Sequence, residues 1–531
     1  MFHRSERIAL AALDRSAGRA DWLRLVDGLH AEPGFWWLDS ALEDGRLGRF
    51  SFAGADPYLW LTARAGEVEI DVRREVRAGL GRGFHRFETD PVDCARSLLP
   101  RADSLAYSTR TSADSGNPGW HEVAGLSAGL ELPFMGGAVG YFGYELAGVM
   151  EGRLRFENAN DLEMPDLVLA FVDRLLVYDH EAERLWVVGL GFGDAGSTSG
   201  EGPREAAVAR SREVVDDLAR RVEWTLSQGS FVAADPAGSM GAPMASLPIS
   251  STVDASGYTK AVDTVLEEIG CGNVYQANFS QRLTIDAAID PWALYRSLRM
   301  HNPAPFGAYL AWPDAVILSS SPERFLRVDD SRRVESRPIK GTRARGGDAI
   351  SDDRLAHELS TSTKDRAENL MIVDLVRNDL GRVCTPGSIG VPELMRIETY
   401  AAVFQMVSTV TGELATGRDV FDLVRATFPP GSMTGAPKLA SIELLEQLES
   451  VRRGVYAGAL GYFDVRGGLD LSVVIRTIVL KNERAHLHVG GGIVADSSPE
   501  KEYLESLDKA RAPLAAIGAV LGPAVGDGGA I

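Results

Sequence analysis

The sequence predicts an α+β protein built on antiparallel sheets, because strand-like and helix-like segments mix without the strict alternation of a parallel fold. Three observations carry this. Residues 171–178 and 185–190 are β-rich runs separated by the turn-like Asp179-His180-Glu181. Residues 471–480 alternate like a strand yet are apolar on both faces, as expected of a strand buried on both sides. Val262, Val265, Leu266 and Ile269 recur at helical spacing.

Taken in chain order, residues 31–190 read as short strands and turns. Residues 191–202 are rich in Gly and Ser, and a helix is expected over 203–226, with Val214, Val215, Leu218 and Val222 on one stripe. Residues 227–250 are small, spotted with Pro and Gly and low in charge, a linker by composition. Beyond 251, residues 306–319 have strand character, and 364–378 and 436–448 read as helices. The expected organisation is an amino-terminal region (1–190), a linker with a helix (191–250), a catalytic region (251–522) and a flexible tail (523–531). There is no internal repeat.

With 531 residues, 45% of them hydrophobic and 24% charged, the composition is that of a soluble globular protein. A net charge of -19 argues against nucleic acid and anionic membrane surfaces as partners. It leaves room for a small anionic substrate held by a local cationic cluster. Residues 1–7 lack the apolar core of a signal peptide, and no apolar run approaches membrane-spanning length. Cys94, Cys271 and Cys384 have no metal-type spacing and are too few for a disulfide framework. The expected compartment is the cytoplasm.

Chemistry concentrates at five places. Lys340, in Arg337-Pro338-Ile339-Lys340-Gly341-Thr342, is held between stiff neighbours, and a desolvated lysine so placed can lose its proton and attack carbon. In Gly490-Gly491-Gly492-Ile493, consecutive glycines leave N–H groups open to a carboxylate, or make a tight turn. Glu502, Glu505 and Lys509 share a helical face, and Glu368 belongs to another helix. Carboxylates from two helices suit a hard cation that keeps waters, hence Mg²⁺; an exposed Glu–Lys pair is the alternative. Arg476, within 471–480, needs an anionic partner from protein or ligand, and its fork fits a carboxylate. Gly431-Ser432-Met433-Thr434-Gly435-Ala436-Pro437-Lys438 leads into a helix and is suited to an anion or to simple capping.

These clusters, in this order, resemble the chorismate-utilising enzymes over nearly all of 251–515. The resemblance includes Gly272-Asn273-Val274-Tyr275-Gln276-Ala277-Asn278, Ser321-Pro322-Glu323-Arg324-Phe325, Asp365-Arg366-Ala367-Glu368-Asn369 and Asp374-Leu375-Val376-Arg377-Asn378-Asp379. Leu38-Asp39-Ser40, Gly48-Arg49-Phe50-Ser51-Phe52 and Pro133-Phe134-Met135-Gly136-Gly137 resemble the amino-terminal pattern of the large components that aminate chorismate. The resemblance implies an α/β/β/α sandwich with two facing antiparallel sheets. Within the family, anthranilate synthases usually carry alanine where this chain has Lys340; lysine is similar to the aminodeoxychorismate branch. A lysine activates water in isochorismate and salicylate synthases where this chain has Gln276, which cannot act as that base. Many relatives have histidine where this chain has Gln405.

The implied reaction is chorismate plus ammonia giving 4-amino-4-deoxychorismate, for 4-aminobenzoate and folate or a specialised product, through a covalent adduct of Lys340. Mg²⁺ on Glu368 and on Glu502 or Glu505 is implied to bind the ring carboxylate, with Gly491, Gly492 and Lys509 completing that site. Arg476 and Tyr456 are implied to hold the enolpyruvyl carboxylate, Gln276 and Gly435 to line the pocket, and Mg²⁺-bound water, Thr434 or Lys438 to assist the leaving hydroxyl. There is no Gly-x-Cys-x-Gly glutaminase elbow, so ammonia is expected from a separate glutamine amidotransferase subunit. Leu38, Asp39 and Ser40, with Asn302 and Pro303, resemble the tryptophan-site regions. The alternatives are an anthranilate synthase component and a non-catalytic tryptophan-binding homologue.

Overall fold

Two large sheets, one of fourteen strands and one of twelve, form the framework of the described residues. The computed structural model describes residues 7–42, 47–77, 81–100, 105–111, 121–123, 132–193, 202–228, 249–400 and 403–518. The expected tail and much of the expected linker, 194–201 and 229–248, lie outside them. Every strand pairing but one, Arg7–Ser16 with Leu105–Thr111, is antiparallel. The largest apolar cluster lies between the sheets, drawing Ile8 and Leu10 from one and Leu61 and Leu169 from the other. A second covers the outer face of the larger sheet. There Trp22, Val215, Leu298 and Leu514 descend from the helices Arg19–Leu29, Pro203–Ser227, Pro291–His301 and Pro499–Ile517. Each such side chain contributes about 1.5–3 kcal/mol when fully buried. The helices Ala349–Thr361 and Thr363–Gly381 pack on Ile339–Ala344 and Val403–Glu413 of the smaller sheet, so the layer order is helix, sheet, sheet, helix, as expected.

The predicted helices form. Ala255–Gly270 starts where the Asp254 carboxylate accepts from Gly257 N at 2.7 Å. Thr363–Gly381 starts where Ser362 Oγ accepts from Asp365 N. Pro203–Ser227 carries the expected stripe into the core.

Two predicted strands are each a pair of strands in different sheets. The run 171–178 divides into Leu167–Val172, in the twelve-stranded sheet, and Arg174–Asp179, in the fourteen-stranded one. Asp173 alone makes the step, and the Arg74 guanidinium neutralises it at 2.8 Å. The run 471–480 divides in the same way into Leu469–Val473 and Thr477–Lys481. Arg476 lies in the crossing, not within a strand, with φ at 49°. The continuous apolar pattern has a simple cause: a chain stepping between facing sheets passes through their shared interior. Residues 306–319 likewise form a hairpin, Phe306–Trp312 and Ala315–Ser321.

The sequence blocks on either side of 191–250 share both sheets. Trp36–Asp39 pairs with Phe306–Trp312, and Gly137–Phe142 pairs with Ala459–Asp464. Among the described residues no helix is long and apolar enough to cross a membrane.

Candidate active site

Lys340 lies on the edge strand Ile339–Ala344, at a break in register. Ile339 is opposite Val407 and Thr342 opposite Gln405, with the ladder irregular between them. Gly341 takes φ 87°, and a Cβ there would lie 2.9 Å from Leu359 and 3.0 Å from Asp365. The glycine thus lets the strand press against two helices and turns Lys340 inward. The half-buried Lys340 donates from Nζ to the Ser432 carbonyl at 3.2 Å. Burial holds its pKa below the ordinary lysine value, against the pull of Glu368 and Glu323. That is the direction a nucleophilic amine requires.

Gln276 begins the strand Gln276–Ile285, which pairs with Arg484–Ile493. It is fully buried, and neither amide atom has a hydrogen-bond partner among the described residues. A Cβ at Gly492 would collide with Gln276 Nε2 and lie 3.3 Å from Lys340 Nζ. On the opposite face, a Cβ at Gly491 would lie 3.0 Å from Glu502 Oε2, 3.7 Å from Lys509 Nζ and 3.9 Å from Glu505 Oε1. The two glycines therefore separate the Lys340–Gln276 side from the carboxylate side by backbone alone.

On the carboxylate side, Glu368 comes from the helix Thr363–Gly381, and Glu502 and Glu505 from Pro499–Ile517. Burial raises the Glu368 pKa, with Lys340 and Lys364 opposing. Lys509, 2.9 Å from Glu505, lowers the Glu505 pKa and also donates to the Gly490 carbonyl. Ser497 Oγ donates to Glu502 Oε1 at 2.6 Å. Glu368 receives no hydrogen bond beyond its ion pair with Lys364 among the described residues. Among the described residues no three acidic, histidine or cysteine side chains converge as a ready-made metal cluster, but carboxylate oxygens from two helices, one of them under-satisfied, suit a hard divalent cation that takes most of its ligands from water.

Arg476 is half-buried, with no carboxylate paired to its guanidinium among the described residues, and burial alone lowers its pKa. Its backbone is fixed, since its carbonyl accepts from Ser320 N and Oγ at 3.2 and 3.1 Å. A buried arginine without an anion is costly, and an anionic ligand removes the cost. Tyr456 stands on the neighbouring turn, where Ala457 N donates to the Val474 carbonyl. It stacks on His488 at 5.1 Å and is held protonated, its pKa pushed up to about 12 by burial.

Three candidates have structural duties. Lys438 Nζ is held by Asp379 at 2.7 Å and by the carbonyls of Thr427 and Pro429 at 2.5 and 2.9 Å. These three acceptors match its three donors, so it fastens the loop and has no proton to spare for a leaving group. Thr434 is fully buried; its hydroxyl donates to the Gly431 carbonyl at 3.3 Å and its own carbonyl accepts from Asn278 N. At Gly435 (φ 143°) a Cβ would collide with the Gln276 carbonyl, so this glycine closes the loop onto the strand.

The sequence reading missed Glu323. It is buried beside Lys340 and hydrogen-bonds the Ser432 side chain, and burial raises its pKa to about 7. The only signal is its place beside Arg324 in Ser321-Pro322-Glu323-Arg324-Phe325, which by itself assigns the carboxylate no role. Gln405 is also buried, one register position from Lys340's bulge, with its carbonyl oxygen unpartnered among the described residues. Elsewhere, Leu38, Asp39 and Ser40 line a cavity of about 360 Å³ together with Arg49, Phe50 and Arg324. Asn302 and Pro303 lie outside its lining; Asn302 instead donates to Ser320 Oγ at 2.7 Å.

A two-sheet sandwich with an inward lysine, an unpaired arginine and a carboxylate face defines a site for a small anion. The model for chorismate binding enzymes matches residues 58–515, and the chain belongs to that family. It is 39% identical over 485 residues to the aminodeoxychorismate synthase of Streptomyces griseus, covering 90% of this chain and 60% of that one. The chain thus spans about three fifths of that relative's length. It is 35% identical over 470 residues to aminodeoxychorismate synthase component 1 of Bacillus subtilis, covering 88% and 89%. Among solved structures, anthranilate synthase component I of Streptococcus pneumoniae matches with TM-score 0.69 and 28% identity, covering 88% and 92%.

Lys438→Met should leave the buried Asp379 without a counter-charge and two carbonyls without a donor. Breaking a buried pair in this way costs about 3–5 kcal/mol. Urea unfolding at neutral pH should show that loss. A loss below about 1 kcal/mol, the worth of an exposed pair, would mean that the lysine does not hold the loop.

Proposed function

We propose that this chain aminates chorismate at ring carbon 4, giving 4-amino-4-deoxychorismate, with Lys340 as covalent nucleophile. The observation that carries the reading is Lys340 itself: an amine of lowered pKa beside a buried carboxyl whose pKa lies near 7. The neutral Lys340 amine attacks ring carbon 2, the double bonds shift, and the 4-hydroxyl leaves as water with the proton of Glu323. Ammonia then adds at carbon 4, the electrons return, and the Lys340–carbon bond breaks. Glu323 recovers its proton from the nitrogen added. One difficult displacement becomes two easier ones.

Arg476 and Tyr456 hold the enolpyruvyl carboxylate in this reading, and Gln276 turns its unpaired amide toward the ring. Mg²⁺, held by Glu368 and Glu502 with Glu505 nearby, would neutralise the ring carboxylate. A separate glutamine amidotransferase subunit supplies the ammonia. Gln405 supports amination without pyruvate loss, because an amide cannot serve as the base that aromatisation needs. The cavity beneath Leu38, Asp39 and Ser40 is read as an amino-acid site of tryptophan type, which equilibrium dialysis with tryptophan checks.

Lys340→Ala should lose at least about a hundredfold in 4-amino product formation with ammonium, some 3 kcal/mol of barrier, while chorismate still binds. Wild-type enzyme quenched without ammonia should carry a chorismate-derived adduct on the peptide containing Lys340. A variant rate within about threefold of wild type, under ~1 kcal/mol, would remove Lys340 as nucleophile.

The pH dependence follows from the same pair. The productive form has Lys340 neutral and Glu323 protonated, so kcat/KM should be bell-shaped. Whichever side of it the lysine titrates, the limb near pH 7 belongs to Glu323, and Glu323→Gln should abolish that limb. Stability gives the sign check. A carboxyl whose folded pKa is raised from 4.5 to about 7 favours folding below the lower value and loses that contribution as pH rises through the higher one. Glu323→Gln should therefore gain stability relative to wild type between pH 5 and pH 8. A variant that keeps the limb near 7 would dismiss Glu323 as the acid.

Glu368→Gln and Glu502→Gln should each raise the Mg²⁺ concentration needed for half-maximal turnover by about tenfold or more, roughly the ~1.4 kcal/mol or above of one lost anionic ligand, while far-UV circular dichroism stays unchanged. Wild-type Mg²⁺ dependence in both would place the metal elsewhere.

A further inference from the structure

The helix Thr363–Gly381 carries a cation at the end that disfavours it. Lys364 lies in its first turn, where the aligned peptide dipoles repel positive charge. Two carboxylates offset this. Glu368 Oε1, four residues on in the same helix, is 3.8 Å from Lys364 Nζ, and Glu502 Oε1, from Pro499–Ile517, is 3.4 Å away. The lysine side chain is 40% exposed, whereas that of Glu502 is 3% exposed. A flexible stem thus reaches in from solvent to a buried acceptor. The other nearby cations are engaged elsewhere: Lys509 with Glu505 and the Gly490 carbonyl, and Lys340, which also acts on Glu368, with the Ser432 carbonyl. Lys364 therefore stands between Glu368 and Glu502, the two residues read above as metal ligands.

We propose that Lys364 is a resident stand-in for the metal: its ammonium fills the space between Glu368 and Glu502 and withdraws when a divalent cation binds there. The inference rests on the metal reading of the site. Without a cation the two carboxylates would repel each other from separate helices. Lysine suits the task because its charge is compact, its stem is long, and solvent is at hand to receive the ammonium when it leaves. Release costs little, since partly exposed pairs of this kind are worth only about 0.2–1 kcal/mol each. Metal binding is then an exchange, and Lys364 sets the affinity by competition. Arginine in its place would compete harder, because its planar fork can bridge two carboxylates where lysine offers a point charge.

The test is titration of the full chain with Mn²⁺, followed by electron paramagnetic resonance in the absence of substrate. Lys364→Met should bind Mn²⁺ about threefold to tenfold more tightly than wild type, the equivalent of one or two such pairs. Lys364→Arg should bind it about threefold more weakly. A mere through-space effect of charge predicts tighter binding for methionine but no difference between lysine and arginine; that result overturns the proposal, as does equal affinity in all three. A second measurement needs no variant. Brief acylation of the wild-type chain with and without Mg²⁺, read by peptide mass, should show Lys364 labelled several-fold faster with the metal. Unchanged labelling overturns the proposal. Failure of the underlying reading looks different: no Mn²⁺ bound by wild type, or wild-type binding by Glu368→Gln, removes the metal site and this role with it.

Discussion

Gly491 and Gly492 present no side chain to either face of the strand Arg484–Ile493, and charged groups close in from both sides. A single Cβ at 492 would collide with the Gln276 amide and crowd Lys340; one at 491 would crowd Glu502. Because only backbone intervenes, the two faces act on each other, and both Glu505 and Lys509 bear on the state of Lys340. Two unit charges about 7 Å apart at an effective dielectric near 20 interact by about 2 kcal/mol. A residue of ordinary size at either position would separate Lys340 from the carboxylates that act on it. The loop Gly431–Met433 is tied to the same place, since Ser432 gives its carbonyl to Lys340 and its side chain to Glu323.

This arrangement sets the protonation of Lys340 by opposition. Burial pushes the amine toward neutrality, while Glu368 and Glu323 push it back toward the cation. Glu323 is itself raised by burial, and as it takes a proton it stops stabilising the ammonium. Neutral amine and neutral acid therefore favour each other, which is the pairing a nucleophile and a proton donor need. Arg476 is the counterpart on the binding side, a half-buried cation with no carboxylate paired to it among the described residues. The fold carries that cost and an anionic ligand relieves it, so ligand charge converts into affinity at a point where water competes poorly.

Much of the site was legible in the sequence because its parts are local. The Pro-Ile-Lys-Gly-Thr stretch, the glycine run and the acidic faces at helical spacing each announce themselves within a few residues. The fold class was legible for the same reason. What failed was whatever depends on how the chain moves between layers. Residues 171–178 and 471–480 read as single strands, because a chain stepping between facing sheets stays apolar throughout. Nothing in the pattern marks Asp173 or Arg476 as the step, although each is a charge inside an apolar run. The loop-fastening contacts of Lys438 are not legible in the sequence, because its partners, Asp379, Thr427 and Pro429, converge only in three dimensions. Glu323 was passed over because its meaning comes from Lys340 and Ser432, which are remote in sequence. Lys364 carries no role in the sequence reading, because its place between Glu368 and Glu502 exists only in the fold.

The global and local charges of this chain pull in opposite directions. A net charge of -19 repels an anion at long range, but that repulsion is screened beyond about 8–10 Å at ordinary ionic strength. Within that distance of the glycine pair stand Lys340 and Lys509, with Lys364 at the carboxylates beyond. Their carboxylate partners leave the cluster close to balanced. A dianion entering alone would upset that balance, and so would a divalent cation entering alone; together they leave it unchanged. On the reading proposed above, the site accepts opposite charges in equal amount, which would let an acidic protein hold an acidic ligand without a basic surface to attract it.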